Sequence, residues 1–178
     1  MNVKPSRDGQ VLLSALDSGR SGQSVRVLDL GMVDYLSTQQ QMQALAQSKR
    51  EEFESQIWLL EHHSVYTQGT SCVQSTLLPS DIPVVKSDRG GQITFHGPGQ
   101  LVMYPLLDLR KFGLGVKALV NALEEAVITE LHHYGITAER RANAPGVYVN
   151  NAKIAALGLR VKNGFSYHGL SLNIGMDL

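Results

Sequence analysis

Apolar and polar positions follow two rhythms along this chain. Val25 to Leu30 alternates Val, Val and Leu with Arg and Asp, the period of two that predicts a strand. From Asp34, a residue type suited to an N-cap, a glutamine-rich stretch to Phe53 sets Met42, Leu45, Ala46 and Phe53 near one helical face. Gln56 to Glu61, with Ile57, Trp58, Leu59 and Leu60, reads as a buried strand, and Ile82 to Val85 as a short one. Leu101 to Tyr104 is extended, and Leu106 to Leu109 finishes an apolar strand. Gly115 to Tyr134 is the clearest helix: Val116, Leu119, Val120, Leu123, Val127, Leu131 and Tyr134 recur at helical spacing, and Gly135 suits the stop. Ile136 to Ala138 reads as a brief strand. Gly146 to Val149 then pairs with Lys153 to Val161 across Asn150-Asn151, and Phe165 to Ile174 follows Asn163-Gly164. Strand and helix alternate first and antiparallel strands follow, which predicts one α/β (α+β) domain with a mixed, mostly antiparallel sheet and flanking helices.

Composition narrows the function classes. The 178 residues suit one domain, residues 24–178, after a flexible leader over residues 1–23. Charges balance at 16 basic and 16 acidic, so no global field points to nucleic acid or an anionic membrane, and neither is expected as a partner. No apolar run reaches the roughly 20 residues of a membrane span. The single cysteine, Cys72, excludes an intramolecular disulfide and a multi-thiolate metal site, which fits a reducing cytoplasm. With no base or cation within several residues to hold its thiolate, Cys72 reads as an ordinary loop residue. His62 and His63 are adjacent on a strand and face opposite ways, so they do not share one metal ion. Nucleotide binding lacks its two commonest glycine-rich patterns.

Candidate chemistry gathers between Asp88 and Tyr104, where four glycines, a proline, an arginine and a histidine interrupt strand-like residues. Glycines are costly to order, and a run of them is kept where a ligand approaches the main chain. Gly90 and Gly91 can take positive φ and present N–H groups to an oxygen-rich group, and Arg89 offers a planar fork to a carboxylate or phosphate. Ile93-Thr94-Phe95 alternates as a strand and Gly97-Pro98-Gly99 turns, a predicted hairpin whose tip and flank line a pocket. Lys153 opens an otherwise apolar strand; from the residues alone it reads as a wet lysine at a hairpin end.

Asp88-Arg89-Gly90-Gly91-Gln92 and Phe95-His96-Gly97-Pro98-Gly99-Gln100 closely resemble the signature of the octanoyltransferases of lipoate biosynthesis. Leu60-Glu61-His62 with Tyr66-Thr67-Gln68-Gly69, Ala144 to Val149 leading to Lys153-Ile154, and Gly158-Leu159-Arg160 with His168-Gly169-Leu170 match in the same order. Asn143 departs from the acidic residue common before Ala-Pro-Gly. The resemblance implies a domain of the biotin/lipoyl protein ligase catalytic type. It also implies transfer of an octanoyl group from octanoyl-acyl carrier protein to a lysine of lipoyl-domain proteins. The implied acceptors are 2-oxoacid dehydrogenase complexes and the glycine cleavage H protein, with no cofactor and no metal.

By the same resemblance the substrate pocket is Arg89, Gly90, Gly91, Gln92, Ile93, Thr94, Phe95 and His96, with Ala156, Leu157 and Gly158, and with Gly169, Leu170 and Ser171. Lys153 takes the place of the catalytic lysine that stabilises a cysteine thiolate and moves a proton. His168 either orients a substrate or main-chain group or is a satisfied strand histidine. The family's nucleophilic cysteine falls in a segment after Met176-Asp177-Leu178, so these residues alone carry pocket and lysine without that thiol and are expected to be inactive. An ATP-dependent lipoate or biotin ligase and a non-catalytic acyl- or carrier-binding remnant are the alternative readings.

Overall fold

The computed structural model describes residues 24–48, 53–72 and 81–176; the expected leader, residues 1–23, lies outside them. Among the described residues, ten strands form two sheets. The larger runs β1 (Arg26–Val33), β2 (Gln56–His62), β6 (Gln100–Leu106), β10 (Phe165–Asn173), β9 (Ala152–Lys162), β8 (Gly146–Val149) and β7 (Glu139–Arg140). Only β1 and β2 in it are parallel. The smaller sheet holds β4 (Val84–Lys86), β3 (Val65–Gln68) and β5 (Ile93–His96), with β3 parallel to β4 and antiparallel to β5. The mixed, mostly antiparallel sheet is the one expected.

Both faces of the large sheet are covered, which is why β2 reads as an unbroken apolar run. On one face, helix α3 (Val116–His133) lays Leu119, Leu123, Val127 and Leu131 against Ile57, Val147, Ala155, Leu170 and Leu172. On the other, helix α1 (Tyr35–Gln47) sets Met42 and Ala46 against Trp58, Leu60, Val102, Tyr104, Phe165 and Tyr167. Asp34 caps α1 by accepting the Ser37 amide at 2.9 Å. Gly135, at φ +73°, ends α3, and the amide of Ile136 returns to the Leu131 carbonyl.

Four expectations change. Asn150 and Asn151 do turn β8 into β9, and Asn163-Gly164 turns β9 into β10, all with positive φ. The predicted hairpin between β5 and β6 does not form: after Gly97-Pro98-Gly99 the chain leaves one sheet for the other, β5 pairing with β3 and β6 with β2 and β10. Helix α1 stops at Gln47, and Phe53 is buried independently against Phe165, ring centroids 4.5 Å apart. β6 ends at Leu106, because Asp108 caps a single helical turn, α2 (Leu109–Phe112), by accepting the Arg110 amide. Ile136 to Ala138 is no strand, since Ile136 still closes the end of α3; the strand is β7.

Candidate active site

The alternation that builds β5 also divides the glycine-rich segment. Thr94 and His96 face a pocket, while Phe95 turns the other way, its ring 5.2 Å from that of Tyr66. The pocket lies between the small sheet and the large one, lined by Arg89, Thr94, His96, Tyr104, Ala156 to Gly158 and His168 to Ser171. The three expected segments therefore meet. Gly90, Gly91, Gln92, Ile93 and Phe95 are not in its wall. Leu157 and Leu170 belong to the core under α3, which leaves their main chain as their contribution.

Arg89 differs from its expected role as a free fork. It is 7% exposed, and its guanidinium donates to the Thr67 hydroxyl at 3.1 and 2.8 Å, the Thr67 carbonyl at 2.7 Å, the Gln92 carbonyl at 2.8 Å and the Gly90 carbonyl at 2.9 Å. The cation holds the loop closed, its donors engaged by the Thr67 hydroxyl and by three main-chain carbonyls. Gly90 likewise donates its N–H to Leu159 at 3.1 Å, and only Gly91 of the pair has positive φ, +88°. Gly158 lets this loop lie on β9: a β-carbon there would stand 2.8 Å from the Gly90 carbonyl oxygen. Thr67→Val, which takes the acceptor from the buried Arg89 Nε–H while Nη2 keeps the Thr67 and Gln92 carbonyls, is expected to cost about 1–3 kcal/mol. Denaturant midpoints of the two proteins check this, and equal midpoints would refute it.

Lys153 is exposed and outside the pocket wall. Its Nζ donates to the Pro145 carbonyl at 3.0 Å and lies 5.3 Å from the Tyr148 ring centroid. A β-bulge sets its direction: Val147 pairs with Ala155 but Tyr148 with Lys153, so Ile154 is the extra residue. Because of that residue Lys153 shares a face with Ala156 and Gly158, the pocket side. In unbroken register it would share the face of Ala155, against α3. Glu124, buried in α3, accepts the Gly146 amide at 2.9 Å and so fixes the turn on which the lysine rests.

Two further residues line the pocket: Tyr104, which was not among those expected, and His168, for which an orienting role and that of a satisfied strand histidine both stood open. Consecutive strand residues point to opposite faces, yet the Tyr167 and His168 rings lie 5.1 Å apart and both reach Asp88. His168 achieves this with φ +55°, a left-handed conformation costing about 1–3 kcal/mol for a non-glycine residue. Its Nε2 stands 2.9 Å from Asp88 Oδ1, and Tyr167 donates its hydroxyl to Asp88 Oδ2 at 2.5 Å. These bonds, His168 first, hold the Asp88 carboxyl far below the usual carboxylate range. Nearby, His96 Nδ1 meets Gln100 Oε1 at 2.6 Å, and His62 bridges the Val33 carbonyl and the Tyr104 hydroxyl. Burial is the main force lowering the pKa of all three histidines, so each imidazole is neutral near pH 7. A positive φ in mid-strand has no signature in a single sequence, so the direction of the His168 ring is not legible there.

Cys72 sits in the loop after β3, half-buried and outside the pocket wall. Among the described residues no group of three or more His, Cys, Asp or Glu is placed to hold a metal ion. No described helix is long and apolar enough to cross a membrane.

Residues 34–178 match the lipoyl protein ligase A/B catalytic domain family. The chain is 52% identical over 151 residues to an octanoyltransferase of Pseudomonas syringae pv. tomato, covering 84% of this chain and 69% of that protein. It is 56% identical over 150 residues to an octanoyltransferase of Dechloromonas aromatica, covering 84% and 73%. A bipartite lipoate protein ligase from Thermoplasma acidophilum shares the fold with a TM-score of 0.67 at 18% identity, over 88% of this chain and 64% of that one. With the pocket segments and these identities together, the chain belongs to the lipoyl protein ligase A/B catalytic domain family and, within it, to the acyltransferases named octanoyltransferases.

Proposed function

We propose that the protein moves an octanoyl group from octanoyl-acyl carrier protein to a lysine of a lipoyl-domain protein, through a cysteine acyl-thioester. The supporting observation is the convergence of Thr94 and His96, Ala156 to Gly158 and Gly169 to Ser171 on one pocket. Ala156 and Gly158 keep the β9 part of the pocket wall free of bulky side chains, the side on which the acyl chain is placed. Neutral imidazoles beside it suit an uncharged thioester better than a free carboxylate.

In the first half-reaction a thiolate attacks the thioester carbonyl, and the carrier thiol leaves. A thiolate suits both halves because it attacks well and leaves well. Lys153 stabilises that thiolate as a nearby cation and supplies a proton to the departing carrier sulfur, and main-chain N–H groups hold the oxyanion. The nucleophile is assigned to the segment that follows Leu178 in the family pattern. The thioester is already activated, so the reaction needs no nucleotide. The acceptors are lipoyl domains of 2-oxoacid dehydrogenase complexes and the glycine cleavage H protein, and the compartment is the cytoplasm.

The test uses the protein in its full natural length. Octanoyl-acyl carrier protein is expected to add one octanoyl group to it, read by intact mass, and a lipoyl domain is expected to remove it without ATP. Labelling of the lipoyl domain only from free octanoate and ATP would overturn this in favour of a ligase.

A further inference from the structure

His168 is the one residue of the pocket wall with a left-handed backbone, and the conformation turns its ring out of the α3 face toward Asp88 and Tyr104. It is 1% exposed, and its Nδ1 is buried without a hydrogen-bond partner among the described residues. Asp88 fixes the tautomer. An ionised carboxylate 2.9 Å from Nε2 requires the proton there, so Nδ1 carries a bare lone pair. His96 also lines the pocket, but a neutral carboxamide, Gln100, stands behind it, whereas His168 has an anion able to support a positive ring. The remaining charged and titratable neighbours are Arg89, Tyr104, Tyr167, His62 and His96, and together with burial they keep the ring neutral at rest.

A buried acceptor is satisfied by a ligand that brings a donor. Neither an octanoyl tail nor a thioester has one; the amine that attacks the thioester does. Resting on the transfer reading above, we propose that His168 is the proton acceptor of the second half-reaction, taking a proton from the lysine amine at Nδ1. The amine lone pair forms the C–N bond to the acyl carbon while the carbonyl π pair moves onto oxygen. That pair returns and the C–S bond breaks with its electrons on sulfur. The proton lost by nitrogen passes to Nδ1, and the imidazolium is held by Asp88. It then returns the proton to the thiolate, leaving amide, thiol and neutral His168. Lys153 serves the first half and His168 the second, with Asp88 as the positioning residue behind it.

Separate half-reactions test this in the full-length enzyme. His168→Asn and His168→Gly both accept a left-handed backbone, so the strand is kept. Each is expected to slow loading of octanoyl from octanoyl-acyl carrier protein far less than the transfer that follows, because the carrier sulfur takes its proton from Lys153 in that half. Each is then expected to transfer it to a lipoyl domain about 100-fold or more slowly. Free imidazole is expected to restore part of the transfer in His168→Gly. Unchanged transfer, or equal slowing of both halves without imidazole rescue, would overturn the assignment in favour of a structural histidine. An unaltered enzyme that never loads would remove the transfer reading itself, and is told apart because it appears before any substitution.

Discussion

Lys153→Ala in the full-length protein is expected to lower octanoyl transfer by about 100-fold or more while leaving the fold intact. Both halves of that expectation follow from where the residue sits. The side chain is exposed, and its polar contact is a single bond to the Pro145 carbonyl, so its removal is worth at most about 0.5 kcal/mol of stability. The bulge at Ile154 is harder to explain as packing: it spends a ladder position to bring a cation to the pocket face, three residues from Ala156. Glu124 supports the same arrangement from the opposite layer, through the Gly146 amide. The measurement is single-turnover loading from octanoyl-acyl carrier protein, with a melting curve beside it. Loading at the unaltered rate would remove Lys153 from the reaction. Lys153→Arg discriminates further, since it keeps a cation but not one that gives up a proton near neutral pH. If charge alone holds the thiolate, Arg restores most of the loss; if a proton must move, it restores little.

Local rules read the ladder of this fold well and its crossings poorly. Asn150-Asn151 and Asn163-Gly164 mark their turns because positive φ is a property of those residues. Helix α3 was legible because one stripe of leucines and valines packs on one face of the sheet. The chain's passage from β5 to β6 was not, because Gly97-Pro98-Gly99 fits a tight hairpin and a change of sheet equally. The same limit divides the site. Thr94, His96, Ala156 and Gly158 fall where alternation sends them, into the pocket. Arg89 looked like a ligand for an anion, and only the fold shows the carbonyls of Thr67, Gly90 and Gln92 already arranged around it. Tyr104 and Asp88 gain their roles from partners 42 and 80 residues away, His62 and His168, and no window along the sequence spans those distances.

The buried histidines make acid the weak side of this protein. His62 and His96 are held neutral, their pKa values lowered to about 4 and about 3, chiefly by burial. In the unfolded chain each protonates near pH 6.5. Between pH 6.5 and 4 the unfolded state therefore binds more protons, and stability must fall as pH falls through that window. Two such groups give a slope of about 2.7 kcal/mol per pH unit between pH 6 and 4, at about 1.4 kcal/mol per proton. The accumulated loss by pH 4 is on the order of 5 kcal/mol, comparable with the whole stability of a small domain. His168 shifts in the same direction and steepens the fall. Asp88 contributes with the sign of a depressed carboxylate: its stabilisation is complete above its unfolded pKa near 3.8 and disappears only below that, as pH falls toward its folded value. The two causes thus separate on the pH axis. Urea unfolding at pH 7, 6, 5 and 4 is expected to show the loss beginning at the histidine end, and a flat profile down to pH 4.5 would refute it. His96→Gln, which keeps a polar group beside Gln100 but cannot titrate, is expected to reduce the slope by about one proton while leaving the acid limb set by Asp88 in place.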